Sequence, residues 1–501
     1  MLIPVSGLAG QPSGRLAIGV ATLGAERLDF QRPSGSTNSE ISRAINGLLV
    51  EYSPSGEFVP GLASSWTVSP DGKTWDVLLR KGVKWHNGET LTAEDVVFGI
   101  ERMKRPEISA GLSVSGLTEA LERVEAVDPY HVRYHFRVPY AVFPLYADLV
   151  PPVPKKFIEK VGDEVFSNEQ PVGTGQFKFV KRVKGSEYEF EAFDNYYGAP
   201  PRFKTLVIKI IPESAARLAA LRTGEIDIAK DCQGEMYQQV KNSPNLGIAS
   251  TESGGVALMT FAEQYDKASP WSDVRVRRAV AYGIDREAIA KAVFRGEGFP
   301  AVFPEGSFAF GIPKDLKPYP YDPAKAKALL ALAGYPNGLP GVWDLQTFQS
   351  ASSPFQPQIA EAAASYLAKI GIKTKLQVME TGAFSAAYTG KKLKGLPISG
   401  SGETRFDVGS KNNIWGAKAP GWSQLNNEDT NRLWEQQLVT VDREKRRKIL
   451  EEAVRIIADE ARLVSFVETK SIFCYGPKVK EYTRWRGNIY ATAHLEGVTL
   501  K

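Results

Sequence analysis

Cysteine and histidine are scarce in this chain. Its 501 residues include two cysteines and four histidines, which excludes a disulfide-dense scaffold and a zinc site built on a cysteine cluster. Cys232 and Cys474 stand far apart in the sequence. They either form one bridge across a long loop or stay as two buried thiols, and the sequence leaves both alternatives open.

Long apolar runs are also missing. No stretch approaches the ~18 consecutive apolar residues that cross a bilayer. Residues 1–14 contain neither a basic region nor a continuous apolar core, so no signal peptide is visible. The protein is therefore expected to be either cytosolic or a mature form whose export signal has been removed.

The chain has only a small excess of positive charge. The formal net charge is +5 and the signs alternate along the chain, which is not typical of a nucleic-acid-binding surface. The basic run at 443–448 has acidic neighbours, so we interpret it as a solvated helix face and not as a binding patch. The length predicts two or three domains. Because no linker or repeat interrupts the sequence, we expect these domains to be interleaved.

Motifs of common catalytic and cofactor sites are absent. The sequence lacks a phosphate-binding loop, a dinucleotide fingerprint, a nucleophile elbow and a His-Glu-x-x-His helix. Gly173 and Gly175 are interpreted as part of a turn. His131 and His135 alternate with apolar residues at period two, which places them on one face of a strand among arginines, where a metal is disfavoured.

These absences predict a protein with no catalytic residue, no metal and no cofactor. The alternative is a carboxylate-based hydrolase, for which Glu403 and Asp407 lie close together in the sequence.

The sequence does contain alternating helix and strand signals. Thr92, Ser214 and the pair Asp322-Pro323 are typical helix starts. Amphipathic helices are predicted over 273–294, 355–370 and 428–460. Strands are predicted over 74–79, 132–136, 177–183, 188–193, 206–211 and 464–473. This mixture predicts an α/β protein whose sheets are covered by helices.

Five blocks resemble a known family, in order along the chain. They are GEFVPGLASSWTVSPDGKTWDVLLRKGVKWHNGETLTAEDVVFGIERMKR at 56–105, PVGTGQFKF at 171–179, LAALRTGEIDIA at 218–229, DVRVRRAVAYGIDREAIAKAVFRGEGFPA at 273–301 and YDPAKAKALLALAGYPNG at 321–338. They resemble the peptide/nickel-type solute-binding proteins of bacterial ABC importers, family 5 (cluster C). The similarity is collinear from about residue 45 to residue 340 and weaker beyond.

The resemblance implies a two-lobed α/β fold, the periplasmic-binding-protein type II-like fold with an extra domain. Lobe 1 (domain I) would comprise 1–44, 165–255 and 470–501, and the additional domain of lobe 1 (domain II) would be 45–164. Lobe 2 (domain III) would be 256–469. Crossovers near 250–262 and 462–473 would act as the hinge between the lobes.

The resemblance also implies a function. The protein would capture a small polar solute, oligopeptide-like or opine/sugar-conjugate-like, by hinge closure and deliver it to the permease of an ABC importer with its ATPase. A monomer is expected, in the periplasm or on the outer face of the cell membrane, with no nucleic-acid partner. A chemoreceptor partner that presents the ligand to a sensor is left open.

Family analogy places three segments at the ligand, 22–36, 259–263 and 399–415. The candidate ligand-binding residues in them are Thr22, Glu26, Phe261, Glu403, Arg405, Asp407, Asn412, Asn413 and Trp415. Arg405 is suited to a carboxylate or phosphate, or else pairs internally with Asp407. Asp407 is a candidate for the aspartate that pairs with a peptide amino group in relatives. Nickel is poorly supported, because these segments contain no histidine or cysteine.

Overall fold

The structure is a computed structural model in which the chain divides into two compact units. It describes residues 12–501 except 25, 33–38, 54–55, 109–116, 148–149, 296, 350–354, 402–406, 411–424, 426, 485–491 and 493–494. Unit 1 comprises Met1–Thr251 and Ser471–Lys501, and unit 2 comprises Glu252–Lys470. Unit 1 is therefore built from two segments that are distant in sequence.

Helices and strands alternate along the described chain. The strands are β1 (Arg15–Val20), β2 (Val50–Tyr52), β3 (Phe58–Pro60), β4 (Ala63–Val68), β5 (Thr74–Leu79), β6 (Leu121–Asp128), β7 (His131–Phe136), β8 (Phe177–Val183), β9 (Glu187–Ala192), β10 (Thr205–Ile210), β11 (Ile228–Ala229), β12 (Gly247–Thr260), β13 (Gly298–Pro300), β14 (Trp343–Phe348), β15 (Thr374–Met379), β16 (Leu396–Ser401), β17 (Leu463–Tyr475), β18 (Val479–Tyr482) and β19 (Val498–Leu500). The α-helices are α1 (Ser39–Ile45), α2 (Ala93–Met103), α3 (Phe143–Ala147), α4 (Lys155–Val161), α5 (Asp163–Asn168), α6 (Ser214–Thr223), α7 (Gly234–Lys241), α8 (Val274–Gly283), α9 (Arg286–Phe294), α10 (Pro323–Leu332), α11 (Gln356–Lys369), α12 (Thr381–Thr389), α13 (Glu428–Val439) and α14 (Arg443–Asp459).

Strand β1 is central to the main sheet of unit 1. It pairs in parallel with β10 on one side and with β11 on the other, and the sheet continues from β10 through β9 to β8 by antiparallel pairing. Residues Leu16 to Val20 are all buried, as expected for a strand covered on both faces. The strands predicted at 177–183, 188–193 and 206–211 are confirmed to within one residue.

A second sheet of unit 1 has the order β4-β5-β7-β6 and is antiparallel. Strand β7 buries every second residue, so the predicted period-two strand is confirmed. On its other face the Nε2 atom of His131 lies 2.5 Å from a carboxylate oxygen of Asp76. The Nε2 atom of His135 lies 2.9 Å from a carboxylate oxygen of Glu125. Both histidines thus have carboxylate partners within the sheet.

His86 joins the turn after β5 to the segment around Gly173. Its Nε2 atom lies 3.0 Å from the carbonyl oxygen of Gly175, and the amide of Gly173 donates to its Nδ1 atom over 3.2 Å. These contacts require a neutral imidazole with the proton on Nε2, which donates to the carbonyl. Burial and then the charge of Lys178 lower the pKa of His86 to about 4, against an unperturbed 6.5.

The two glycines of the 173–175 segment are required by close packing. The amide of Gly175 donates to the Ile45 carbonyl oxygen over 2.9 Å, at the end of α1. A Cβ atom at Gly173 would overlap that same carbonyl oxygen, and one at Gly175 would lie 2.6 Å from the Ile45 carbonyl carbon. The segment therefore packs against the backbone at the end of α1, which agrees with its interpretation as a turn.

Cys232 and Cys474 form a disulfide within unit 1, with their Cα atoms 5.7 Å apart. Of the two alternatives that the sequence left open, the bridge is the one found. Cys474 pairs with Ala229 in the ladder between β11 and β17, and the Cys232 amide donates to the Ile472 carbonyl over 3.1 Å. Both cysteines are fully buried. The bond therefore reinforces the attachment of the C-terminal segment to β11.

The main sheet of unit 2 contains three parallel strands. Strand β14 pairs in parallel with both β15 and β16, and β16 pairs antiparallel with β12. The core packs against these strands and includes the fully buried residues Phe261, Trp271, Leu345, Ile359, Leu367, Leu396 and Ile398. Each large apolar side chain buried in this way stabilises the fold by about 1.5–3 kcal/mol.

Arg286 is buried in unit 2 and binds main-chain carbonyls. Its Nε donates to Ser465 O over 2.7 Å, and its Nη1 donates to Ala281 O over 2.9 Å and to Tyr319 O over 3.1 Å. Burial lowers the pKa of Arg286 to about 10, which leaves it charged near neutrality. One side chain thus ties together three segments of unit 2.

Two predicted long helices are each interrupted, which corrects the sequence interpretation. The prediction over 273–294 becomes α8 and α9, and that over 428–460 becomes α13 and α14. At each break an aspartate caps the second helix: Asp285 accepts from the Ala288 amide and Asp442 from the Lys445 amide. The N-capping signal of these aspartates outweighs the continuous apolar periodicity. Ser214 is likewise inside α6, whose N-cap is Glu213.

The chain crosses between the units in two strands. The boundaries at Thr251/Glu252 and Lys470/Ser471 fall inside β12 and β17, against predicted boundaries at 255/256 and 469/470. The assignment of three domains, with 45–164 as a separate one, stays a prediction. Among the described residues, no helix is both long and apolar enough to span a membrane.

Replacing both cysteines with alanine should lower the free energy of unfolding by about 2–5 kcal/mol, because the bond closes a loop with a sequence separation of 242 residues. Urea unfolding of the oxidised wild-type protein and of the double variant measures the difference. Dithiothreitol under native conditions should leave the buried bond intact. An unchanged unfolding midpoint in the variant would contradict the assignment.

Stability should fall in mild acid through His86. Its folded pKa of about 4 lies below the unperturbed 6.5, so the unfolded chain binds more protons between these values. The contribution of neutral His86 to the free energy of unfolding is therefore complete above pH 6.5. It is lost as the pH falls towards 4, and the loss amounts to about 2.5 kcal/mol at pH 4.5. Urea unfolding at pH 7.0 and 4.5 should show a smaller loss for His86→Gln than for the wild type, and equal losses would refute this role.

Candidate ligand-binding site

The carboxyl edge of the unit 1 sheet gathers three loops. Strands β1, β10 and β11 are parallel, so the loops that follow them leave from one edge. The Ile211 amide donates to Val20 O over 2.8 Å, and the Lys230 amide donates to Gly19 O over 2.9 Å, which holds the starts of two loops against the end of β1. In open α/β sheets, ligands bind outside the carboxyl ends of parallel strands.

Thr22 and Glu26 lie in the first of these loops and are partly exposed. The Thr22 hydroxyl accepts from the Gly24 amide over 3.0 Å, which forms a local turn. The backbone of Glu26 is left-handed, with φ 50°, a conformation that a residue with a side chain adopts only at a cost. The structure therefore brings these two predicted residues together in one shaped loop.

The carboxylate of Glu26 is engaged by the hairpin of β8 and β9. Its Oε2 atom accepts from the Tyr188 hydroxyl over 2.8 Å and from the Gly185 amide over 2.9 Å. Arg182 also donates to the Glu26 carbonyl oxygen over 2.9 Å. Burial first, then the hydrogen bond to Glu26, raises the pKa of Tyr188 above its usual range. These bonds fix the left-handed turn and orient the loop.

In unit 2 the predicted loop leaves from the carboxyl end of β16, beside the parallel strand β14. Glu403, Arg405, Asn412, Asn413 and Trp415 lie outside the described residues. Asp407 is described. It forms a bridge with Phe310 and is 5% exposed. The contacts of Asp407 therefore show how this part of the chain is attached to the rest of unit 2.

Asp407 forms a buried ion pair with Arg446 of α14. The guanidinium donates to both carboxylate oxygens, over 2.6 Å and 2.9 Å, and its Nε donates to Gln437 over 2.9 Å. The Gly409 amide donates to Asp407 Oδ1 over 2.8 Å, and Val408 is fully buried. Asp407 thus anchors its loop to two helices, and a role in binding a ligand amino group stays a prediction.

Arg446 was missed by the sequence interpretation of 443–448 as a solvated face. Most of that run is exposed, but Arg446 is buried. The signal was available: Leu450 and Ala453 follow it at helical spacing and are fully buried. An arginine on the apolar stripe of a helix indicates that polar partners for its guanidinium lie elsewhere in the fold.

Phe261 lies in the core of unit 2. It is 0% exposed, and its ring centroid is 5.6 Å from that of Trp271. Because β12 runs antiparallel to β16, the Ala262 amide donates to Gly395 O just before β16 begins. The structure therefore places Phe261 near the amino end of β16 and does not bring it to the loop that contains Asp407.

The described residues contain no cluster of three or more histidine, cysteine, aspartate or glutamate side chains that could hold a metal ion. The carboxylates of Glu26, which is partly exposed, and of Asp407, which is buried, both bind groups of the protein itself. The arrangement offers shaped loops at carboxyl edges of parallel strands, which suits recognition of a solute.

Arg446→Met should destabilise unit 2 by about 3–5 kcal/mol, because it leaves the Asp407 carboxylate buried without its guanidinium partner. Asp407→Asn in the same background should restore part of the loss, and urea unfolding measures both. The matched control is Arg455→Met on the same helix, whose partner Asp315 is 71% exposed, and which should change stability much less. Equal losses for the two methionine variants would contradict the anchoring role.

Known proteins of one family are similar to this chain in sequence and in fold. The model of the bacterial extracellular solute-binding proteins, family 5, matches residues 57–405. Heme-binding protein A of Haemophilus influenzae is 29% identical over 90% of this chain and 86% of its own length. The dipeptide-binding protein of Escherichia coli K12 is 32% identical over 70% of this chain and 69% of its own length.

A solved structure is similar over almost the full length. AgaA from A. tumefaciens R10, in complex with agropinic acid, has a TM-score of 0.79 and 27% identity, and the match covers 97% of this chain and 99% of AgaA. The predicted two-lobed α/β fold of this family is confirmed. The chain belongs to the bacterial extracellular solute-binding proteins, family 5, and is a solute-binding component of an ABC importer.

Proposed function

We propose that the protein binds a carboxylated polar solute, an oligopeptide or an opine-like conjugate, and presents it to an ABC permease. The observation that supports this most directly is the loop after β1, which is shaped at the carboxyl edge of three parallel strands. The loop after β16 is the second candidate segment. The hinge closure predicted from the sequence belongs to this proposal.

The chemistry of the relatives' ligands favours a carboxylate. Their names specify a dipeptide, heme and agropinic acid, and each of these molecules carries at least one carboxylate. Arg405 is the candidate partner, because a guanidinium fork matches a carboxylate with two parallel hydrogen bonds. Glu403, Asn412 and Asn413 are proposed to bind the polar groups of the solute, and Trp415 to stack on a flat part of it.

Thr22 and Glu26 are the candidates in unit 1. The second carboxylate oxygen of Glu26 and the partly exposed Thr22 offer hydrogen-bond groups at the sheet edge. Phe261 is fully buried, so it would contribute to binding only by packing the core of unit 2. Asp407 would act on the ligand mainly by holding its loop.

The disulfide supports a location outside the cytosol, because such bonds persist in oxidising compartments. We place the protein in the periplasm or on the outer face of the cell membrane, as a monomer that works with a permease and its ATPase. Binding and release require no bond to be made or broken, so the solute leaves unchanged.

Thermal-shift and calorimetric titration with the dipeptide Met-Leu, glutathione, heme and agropinic acid tests the ligand class. At about 100 times its dissociation constant, a true ligand should stabilise the protein by about 2.7 kcal/mol. Mass spectrometry should recover it unchanged. Cleaved product would instead support a hydrolase, and no binding to any probe would refute the proposed class.

Arg405→Ala should lower the affinity for the best-binding peptide at least tenfold, because a bidentate charged pair is lost. The matched control is the C-terminal amide of the same peptide, which lacks the carboxylate and should bind the variant and the wild type alike. If the free acid also binds both proteins alike, Arg405 does not recognise the carboxylate.

A further inference from the structure

Arg102 of α2 is a fully buried cation that reaches into the loop after β1. Its side chain is 0% exposed. Its Nη2 donates to Asp29 Oδ2 over 2.6 Å, and its Nη1 donates to Gln31 Oε1 over 2.8 Å. Its Nε donates to Asp163 Oδ1 of α5 over 2.6 Å. One guanidinium therefore joins α2, α5 and the turn at 29–31.

The turn at 29–31 is buried and closed by these bonds. Asp29 and Gln31 are each 1% exposed. Asp29 Oδ1 accepts from the Gln31 amide over 2.9 Å, and Asp29 Oδ2 accepts from the Ser167 hydroxyl over 2.7 Å. The Leu28 amide donates to Ser167 O over 3.0 Å. The turn at 29–31 therefore cannot shift without breaking a buried charged network.

The network holds the same loop that contains Thr22 and Glu26. The hairpin of β8 and β9 binds Glu26, and Arg102 binds the turn three residues further on. The Gln31 side chain also donates to Gly99 O over 3.2 Å. At the first of these two points the backbone is strained, because Glu26 has a φ of 50°. A strained turn persists only where its surroundings fix both ends.

We propose that Arg102 is a positioning residue for ligand binding, which sets the geometry of the loop after β1 through Asp29 and Gln31. It touches no ligand itself. The inference rests on the proposed function, since it takes this loop to face the solute. It adds a residue of the 93–103 helix, remote in sequence, to the determinants of affinity.

Three variants with one control test this role. Arg102→Lys keeps the charge but loses the fork that reaches three acceptors, and Arg102→Met loses both. Ser167→Ala removes one bond to Asp29 and is the mildest change, which keeps the test valid if Arg102→Met does not fold. The control is Arg286→Lys, the same substitution at a buried arginine of unit 2 that binds carbonyls.

The first readout is hydrogen exchange of the unliganded proteins. The amides of 28–32 should exchange at least tenfold faster in both Arg102 variants, and less so in Ser167→Ala, while β6 and β7 keep wild-type rates. Arg286→Lys should leave 28–32 unchanged. Wild-type exchange of 28–32 in Arg102→Met would overturn the proposal, whatever the ligand.

The second readout is the dissociation constant for Met-Leu or glutathione, well below the melting temperature. Affinity should fall about tenfold or more in the Arg102 variants and stay within threefold of wild type in Arg286→Lys. Faster exchange with unchanged affinity, or equal losses in both arginine positions, would overturn the positioning role. If the wild type binds neither probe, the measurement is repeated with agropinic acid and heme. If it binds none of the four, the proposed ligand class fails, and the exchange result decides whether Arg102 orders the loop.

Discussion

The parallel pairing of β1 with β10 and β11 is the constraint on which unit 1 depends. It joins segments near residues 15–20, 205–210 and 228–229, so it forms only when much of the chain has already been brought together. Its hydrogen bonds lie among fully buried apolar residues such as Leu16 and Ile208. The pairing brings three loops to one edge, and it places β11 where β17 and the disulfide attach.

Buried charges then determine where the loops lie. A charge removed from water is tolerated only with partners that satisfy it. Arg102 holds the loop after β1, and Arg446 holds the loop after β16. Glu40 accepts from Lys230 and from Thr492, which attaches the C-terminal segment to α1. In each case a helix or loop supplies a charge, and a segment distant in sequence supplies its partner.

This arrangement suits a protein that recognises a solute. The described parts of the two candidate loops start from the ends of strands and are held by buried ion pairs, so under the proposed function little conformational entropy would be lost on binding. The two candidate carboxylates that the structure describes are both bound within the protein. Glu26 binds a hairpin and Asp407 binds an arginine.

The sequence by itself determined the family, the α/β class and the six strands that were predicted from it. Period-two alternation and turn residues are local, and they placed β5, β7 and β8 to within one residue. The five collinear blocks indicated a solute-binding protein. Some local signals were missed. The predictions of continuous helices over 273–294 and 428–460 rested on apolar periodicity, whereas Asp285 and Asp442 each cap a new helix within them.

Only the tertiary structure decided which side chains are available to a ligand. The pairs of Asp407 with Arg446 and of Asp29 with Arg102 join residues separated by 39 and 73 positions, and no local pattern reports such a contact. The same holds for the choice between two thiols and the bond of Cys232 to Cys474. A sequence determines the chemistry that each residue can perform. The burial and the partners of a side chain arise from packing between distant segments. Burial and partners then decide whether a polar group binds within the protein or is left for a solute.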